Sequence, residues 1–298
     1  MENVEKKVVA AIPAQPEKVG PLDIVRALPN HQTQAVGPVI FLDHVPEKTL
    51  RPGELPAPDG SFAHPHRGIA TFTYLLKGEL IHFDSNGGHG LVKAGGVQWM
   101  NSGNGIVHDE IMPAELRAKG GEFSAFQFWV NLPAKNKAEA PDYMPVQASD
   151  LPTFDLGNGV VLKVLLGEFD GQESPIPTFS EQFIWHLKIP GNGEANVATA
   201  EGQEYAGYLA NGMAEIGGSS ISAQEFFELG LSGSTIRVSN RSSAHIDVMI
   251  FGGEPYREPM VSHGPFVMNT ASEIRQAYAD FQQGRYGQIN YQRDREAV

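Results

Sequence analysis

The chain has 298 residues, of which 41% are hydrophobic and 19% charged, so it is neither a disordered polymer nor too short for two ordinary domains. A formal charge of −13 repels phosphate backbones and argues against direct nucleic-acid binding. With no cysteine, disulfides, thiolate metal sites and cysteine nucleophiles are all excluded.

Residues 1–15 mix charges into any apolar run, so no secretory signal is expected there. No apolar stretch approaches the roughly 20 residues needed to cross a bilayer, and a cytoplasmic protein is the working expectation. Abundant glycine and proline without a short repeat point to many turns between short strands. Residues 39–42 read as a buried strand after the Gly37-Pro38 turn, followed by a polar, proline-rich loop over 43–61. A strand over 71–76 stops at Lys77-Gly78 and resumes over 79–84, before the turn Ser85-Asn86-Gly87-Gly88. Further strands are expected over 97–100, 123–130 and 160–166.

After a loop-rich joint the pattern starts again, with strands over 183–189, 205–210, 234–238 and 245–251. A single helix is predicted over 272–283 from the spacing of Ile274, Ala277, Tyr278 and Phe281. Thr270 or Ser272 can cap it, Glu273 suits its positive end, and Gly284 can end it. Tyr74-Leu75-Leu76-Lys77-Gly78 is echoed by Tyr208-Leu209-Ala210-Asn211-Gly212, an offset of 134 positions. This all-β pattern suggests a duplicated barrel, residues 1–140 and 141–298, with the helix belonging to the second half.

His64-Pro65-His66 and His108-Asp109-Glu110 are both i, i+2 pairs of metal-competent residues. Side chains alternate along a strand, so each pair projects to one face, and two adjacent strands can make four ligands converge. Pro65 offers no amide to a ladder and places its pair at a strand edge. Alone, a His-x-His pair is more often surface decoration than a ligand pair. Two such pairs separated by several strands favour metal. Three imidazoles and a carboxylate suit one divalent ion such as iron, nickel, copper or zinc, and a six-coordinate ion would keep two sites open.

The sequence resembles the pirins, a branch of the cupin superfamily. The resemblance is carried by Phe41-Leu42-Asp43-His44, His64-Pro65-His66-Arg67-Gly68, Val97-Gln98-Trp99-Met100, Gly105-Ile106-Val107-His108-Asp109-Glu110, Phe128-Trp129-Val130-Asn131-Leu132-Pro133 and His263-Gly264-Pro265-Phe266-Val267-Met268-Asn269-Thr270. It implies two cupin-like jelly-roll barrels, and a single iron bound in the first by His64, His66, His108 and Glu110. Fe(II) is therefore the first expectation for the ion, with Ni, Cu, Zn or Mn as alternatives. Ala70 stands where the family usually has a glutamate, which leaves Glu110 as the acidic ligand.

In the second half, the offset carries His64 and His66 onto Ala198 and Ala200, so no metal is expected there. His245-Ile246-Asp247 is a candidate remnant of the second pair, given a short insertion before it. His82 and His186 are read as surface or hydrogen-bonded core residues, and His44 and His263 as packing or hydrogen-bonding ones. Arg67 and Gln127 are candidate pocket residues, with a surface ion pair an equal reading for Arg67. Trp99, Met100, Phe126, Phe128 and Trp129 form a candidate apolar pocket wall, or simply core.

Two functions follow from the resemblance. One is a quercetin 2,3-dioxygenase-like enzyme that opens the flavonol ring with O2, with Glu110 as the group accepting the substrate proton. The other is an iron-binding, redox-sensitive regulator of a transcription factor or metabolic enzyme, for which an acidic surface fits a protein partner.

Overall fold

Alternating faces organise the molecule into antiparallel ladders, and the two barrels are built on one plan. The computed structural model describes residues 4–20, 22–55 and 59–291. Of the loop expected over 43–61, residues 43–50 continue the first strand as Val39–Leu50, and 56–58 lie outside the described residues. Polar side chains do not end that strand, because Asp43 and His44 pair with Arg26 and Val25 of the strand Leu22–Leu28. Arg26 then holds Asp43 through two hydrogen bonds of 2.9 and 2.8 Å.

Two compact units interleave along the sequence. One gathers residues up to Glu17, Asp23–His44 and Ser149–Tyr256; the other gathers Lys18–Leu22, Val45–Ala148 and the chain from Arg257 onward. The sequence reading had one cut after residue 140 and gave the C-terminal helix to the second barrel. That helix, Ala271–Gln282, instead belongs to the unit carrying His64 and His108. Its cap is Thr270, in a reciprocal capping box with Glu273. Ile274 and Ala277 pack with Phe266, Met268 and Tyr286. The next buried position goes to Asp280, which pairs with Arg67 at 2.8 Å, while Phe281 faces solvent.

In the His-bearing unit, one sheet sets Asp142–Val146, Val97–Asn101, Ile69–Lys77 and Gly121–Asn131 side by side. A four-stranded sheet runs His64–His66, Ile106–Ile111, Glu79–Asp84, His89–Lys93. The inward face of Ile69–Lys77 carries Thr71, Thr73 and Leu75, and the barrel changes character along it. Leu75 sits in an apolar plug with Leu80, Val92, Phe123 and Ala125. Thr73 lies in a polar row. The opposite face carries Phe72, Tyr74, Trp99, Phe126 and Phe128, all buried; Phe72 meets Phe128 edge-on at 6.1 Å and Tyr74 stacks on Phe126. Alternation thus splits the expected aromatic wall: Met100 and Trp129 face inward with Thr71, while Trp99, Phe126 and Phe128 do not.

The other unit repeats the four-stranded order with Glu194–Ala198, Thr235–Asn240, Met213–Ile216 and Ser219–Ser222. Its inward positions are apolar. Ala195, Val197, Ala214, Ile216, Ile236 and Val238 join one continuous core with Trp185 and Phe227. The strand standing where His64–His66 stands is Glu194–Ala198, so Ala195 and Val197 replace the ligand pair, rather than Ala198 and Ala200. His245 and Asp247 are not a ligand remnant either. Asp247 lies on Ile246–Gly253, which occupies the place of Gly121–Asn131, and it pairs with His186 at 2.9 Å. Among the described residues, no helix is long and apolar enough to cross a membrane.

Candidate metal centre

Register brings the two sequence pairs together. On neighbouring antiparallel strands His108 lies opposite His64, and Ile106 opposite His66. One ring nitrogen from each of His64, His66 and His108 lies within 4.8 Å of the other two. His64 and His108 approach through their Nε2 atoms, 3.1 Å apart. Two nitrogens bound side by side to one ion at about 2.1–2.2 Å would stand about 3.0–3.1 Å apart, so the rings are already spaced for a shared ion.

Backbone carbonyls fix two of the tautomers. His64 Nδ1 donates to the Phe62 carbonyl at 2.8 Å, and His66 Nδ1 donates to the Pro265 carbonyl at 3.2 Å. Each leaves its Nε2 lone pair for a ligand. His108 Nδ1 is buried with no hydrogen-bond partner among the described residues. His66 and His108 are held neutral well below the usual imidazole range, first by burial and then by neighbouring rings. Neutral imidazole is the form that binds metal, so the donor set fits one divalent ion. His64 alone is exposed, which leaves the centre open on that side.

Glu110 faces the same interior but does not join the three-histidine group. Its Oε1 accepts from Thr73 Oγ1 at 2.7 Å and from Gln98 Nε2 at short range. Thr73 also lies 2.9 Å from Gln127 Oε1. Gln98, Thr73 and Gln127 are direct cross-strand partners, one polar row across three strands. Gln127 thus lies in this row beside Thr73. Arg67 points elsewhere, to Asp280 and Tyr286 of the C-terminal segment, and braces that segment instead of the site.

Sequence reasoning missed Thr73, Gln98, Tyr143 and Asp84 and undervalued His82. His82 lies directly opposite Glu110, and Asp84 opposite His108. The His82 ring stacks on Tyr143 with centroids 3.9 Å apart, and its Nε2 donates to Asp84 at 2.9 Å. Burial pushes the Asp84 carboxyl up, but His82 and the Gly88 and Asn86 amides outweigh it and hold it below the ordinary range. Burial and the nearby carboxylates of Glu110 and Asp84 push the Tyr143 phenol far up, so it stays protonated. The signal available in the sequence was parity: Thr73 and Gln98 stand even numbers of residues from Thr71 and Met100 on their strands.

Two family models match the chain: Pirin over residues 22–130, and the Pirin C-terminal cupin domain over 184–287. A Pseudomonas aeruginosa protein named "Putative quercetin 2,3-dioxygenase" is 35% identical over 269 residues, covering 88% of this chain and 90% of its own length. The chain belongs to the pirin family. A tomato pirin-like protein is likewise 35% identical over 287 residues, 95% of this chain and 92% of that one. The crystal structure of a quercetin 2,3-dioxygenase from Acinetobacter baumannii superposes with a TM-score of 0.89 at 30% identity, covering 96% of this chain and all of that one. The jelly-roll barrels expected from the sequence are those of a cupin.

Proposed function

We propose that this pirin-family chain is a metal-dependent dioxygenase that holds one divalent ion on His64, His66 and His108 and opens a flavonol ring with O2. The observation that carries the reading is the juxtaposition of three converging imidazoles with a half-buried carboxylate, Glu110, two residues beyond His108 on the same strand. The names of the two bacterial relatives support the substrate class. Fe(II) is the ion proposed, since three histidines and a carboxylate extend the ligand set of non-haem iron oxygenases by one ring.

The ion would supply the Lewis acidity that stabilises the flavonol 3-olate and the redox partner that dioxygen needs. The remaining work falls to side chains. Glu110 accepts the proton of the flavonol 3-hydroxyl. Gln98 and Thr73 keep its carboxylate pointed into the barrel. Met100, Trp129 and Tyr143 offer flat or apolar surface for a planar substrate, with Trp129 edge-on to His66 at 5.0 Å. Glu110 would also be the fourth residue to hold the ion.

Oxygen uptake tests this reading. Protein purified without oxygen is loaded with Fe(II), or separately with Ni, Cu, Zn or Mn, and then given quercetin. Uptake should require both ion and flavonol and disappear in His108→Ala. Protein that carries one ion per chain yet shows no flavonol-dependent uptake with any of them would overturn the enzymatic reading and leave the regulatory one.

A further inference from the structure

A short parallel pair of segments backs the three-histidine group. His66-Arg67-Gly68 runs beside Pro265-Phe266-Val267, with Arg67 bridged to Phe266 and the Val267 amide donating to the Arg67 carbonyl at 3.1 Å. At one end of the pair, His66 Nδ1 donates to the Pro265 carbonyl. At the other end the Gly68 and Val267 carbonyls converge, and both accept from Lys137 Nζ, at 2.9 and 2.7 Å. The two segments approach so closely that a Cβ on Gly68, whose φ is +81°, would collide with the Val267 oxygen. Two carbonyl oxygens brought together repel one another unless a donor stands between them.

Lys137 is 3% exposed, and its remaining hydrogen goes to Asn131 Oδ1 at 2.6 Å. Three acceptors thus take all three hydrogens of an ammonium, where a side-chain amide could serve only two. Burying this cation is costly, and burial lowers its pKa to about 8. An apolar side chain would avoid that cost, but it could not join the two carbonyls.

We infer that Lys137 is a positioning residue: by tying Val267 to Gly68 it holds the Pro265 carbonyl in place, fixes His66 as the Nδ1–H tautomer and leaves its Nε2 lone pair for an ion. None of the hydrogen-bond partners of Nζ is a candidate ligand, so the lysine acts through backbone alone. The tautomer needs no ion. Only the metal arm of the test rests on the metal-centre reading proposed above.

Nitrogen NMR of the imidazoles in metal-free protein reads the tautomer, and a Co(II) titration reads its consequence. Wild-type His66 should be mainly Nδ1–H. Lys137→Met should lower its Nδ1–H to Nε2–H ratio about fivefold. The same variant should bind Co(II) about tenfold more weakly. A residue that merely stabilises the fold would not move the tautomer. Ile236→Ala, in the core of the other unit, is therefore the control and should leave both readouts unchanged. The chain has no cysteine, so aminoethylating Lys137→Cys rebuilds an ammonium of lysine's length at one thiol only. That protein should return both readouts to within about twofold of wild type. Cooperative thermal unfolding checks each fold; should Lys137→Met not fold, Lys137→Gln should move the ratio in the same direction. An unchanged His66 tautomer in folded Lys137→Met or Lys137→Gln overturns the inference. Folded, aminoethylated protein that keeps the altered tautomer overturns it too. A tautomer that responds to Lys137 in protein that binds no Co(II) supports the inference and overturns the metal-centre reading instead.

Discussion

His64 and His108 face each other across a strand pair, one exposed and one buried, with their Nε2 atoms 3.1 Å apart. A ring at the rim and a ring in the core thus share one point in space. The exposed partner would give an ion a way in, and the buried partner would give it a dry, neutral seat.

Removing either ring should cost metal binding. His64→Ala and His108→Ala are each expected to weaken a divalent ion on the order of 100-fold in a metal titration. His64→Ala should leave unfolding unchanged within about 0.5 kcal/mol, because that side chain is exposed. Tight binding by both variants would mean that the ion sits elsewhere.

Metal content should be one ion per chain. The second barrel repeats the strand order but lines it with Ala195, Val197, Ile236 and Val238, which have no donor atoms. Elemental analysis of loaded protein near two ions per chain would contradict this. The same packing makes Ile236→Ala costly, about 2–5 kcal/mol by denaturant unfolding, with metal affinity unmoved.

Arg67 should behave as a structural residue. Its partner Asp280 lies on the helix Ala271–Gln282, 2.8 Å away. A double-mutant cycle with Arg67→Met and Asp280→Asn should show about 1 kcal/mol of coupling in stability. Metal affinity should change less than about threefold. A large affinity loss would restore Arg67 to the site.

Lys137 should give the fold a pH signature. Its buried Nζ donates to the carbonyls of Gly68 and Val267 and to Asn131, yet burial lowers its pKa to about 8 despite the opposing pull of Glu258 and Glu273. An unfolded lysine titrates near 10.4, so between about pH 8 and 10.4 the unfolded chain holds a proton that the folded chain has lost. Stability from this residue therefore rises with pH across that window, and the full penalty is present below it. Relative to Lys137→Met, the wild type should gain on the order of 3 kcal/mol from pH 7 to pH 10.5, measured by denaturant unfolding. A pH-independent difference would refute the shift.

What the sequence made legible was local. Strand 183–189 and the capped C-terminal helix follow from spacing alone, and the two i, i+2 pairs mark candidate ligands because strand parity needs no tertiary knowledge. Three kinds of feature escaped. The strand Gln15–Val19 is exposed along its whole length and carries no apolar alternation to read. Thr73, Gln98 and Gln127 are unremarkable residues on three separate strands, and only cross-strand register makes them one row. Arg67 looked like a pocket residue because it follows a ligand; its partner is 213 positions away, beyond any local pattern.

The hydrogen bond from His66 to the Pro265 carbonyl spans 199 positions. Ribosomes deliver chains from the N-terminus, and residues 149–256, which belong to the other unit, emerge between those two partners. His64, His66 and His108 are therefore all synthesised long before the segment that orients one of them exists. The three-histidine group is completed late in biosynthesis: a nascent chain holds three histidines without their final brace, and a chain truncated before residue 265 keeps every candidate ligand and lacks the carbonyl that accepts from His66.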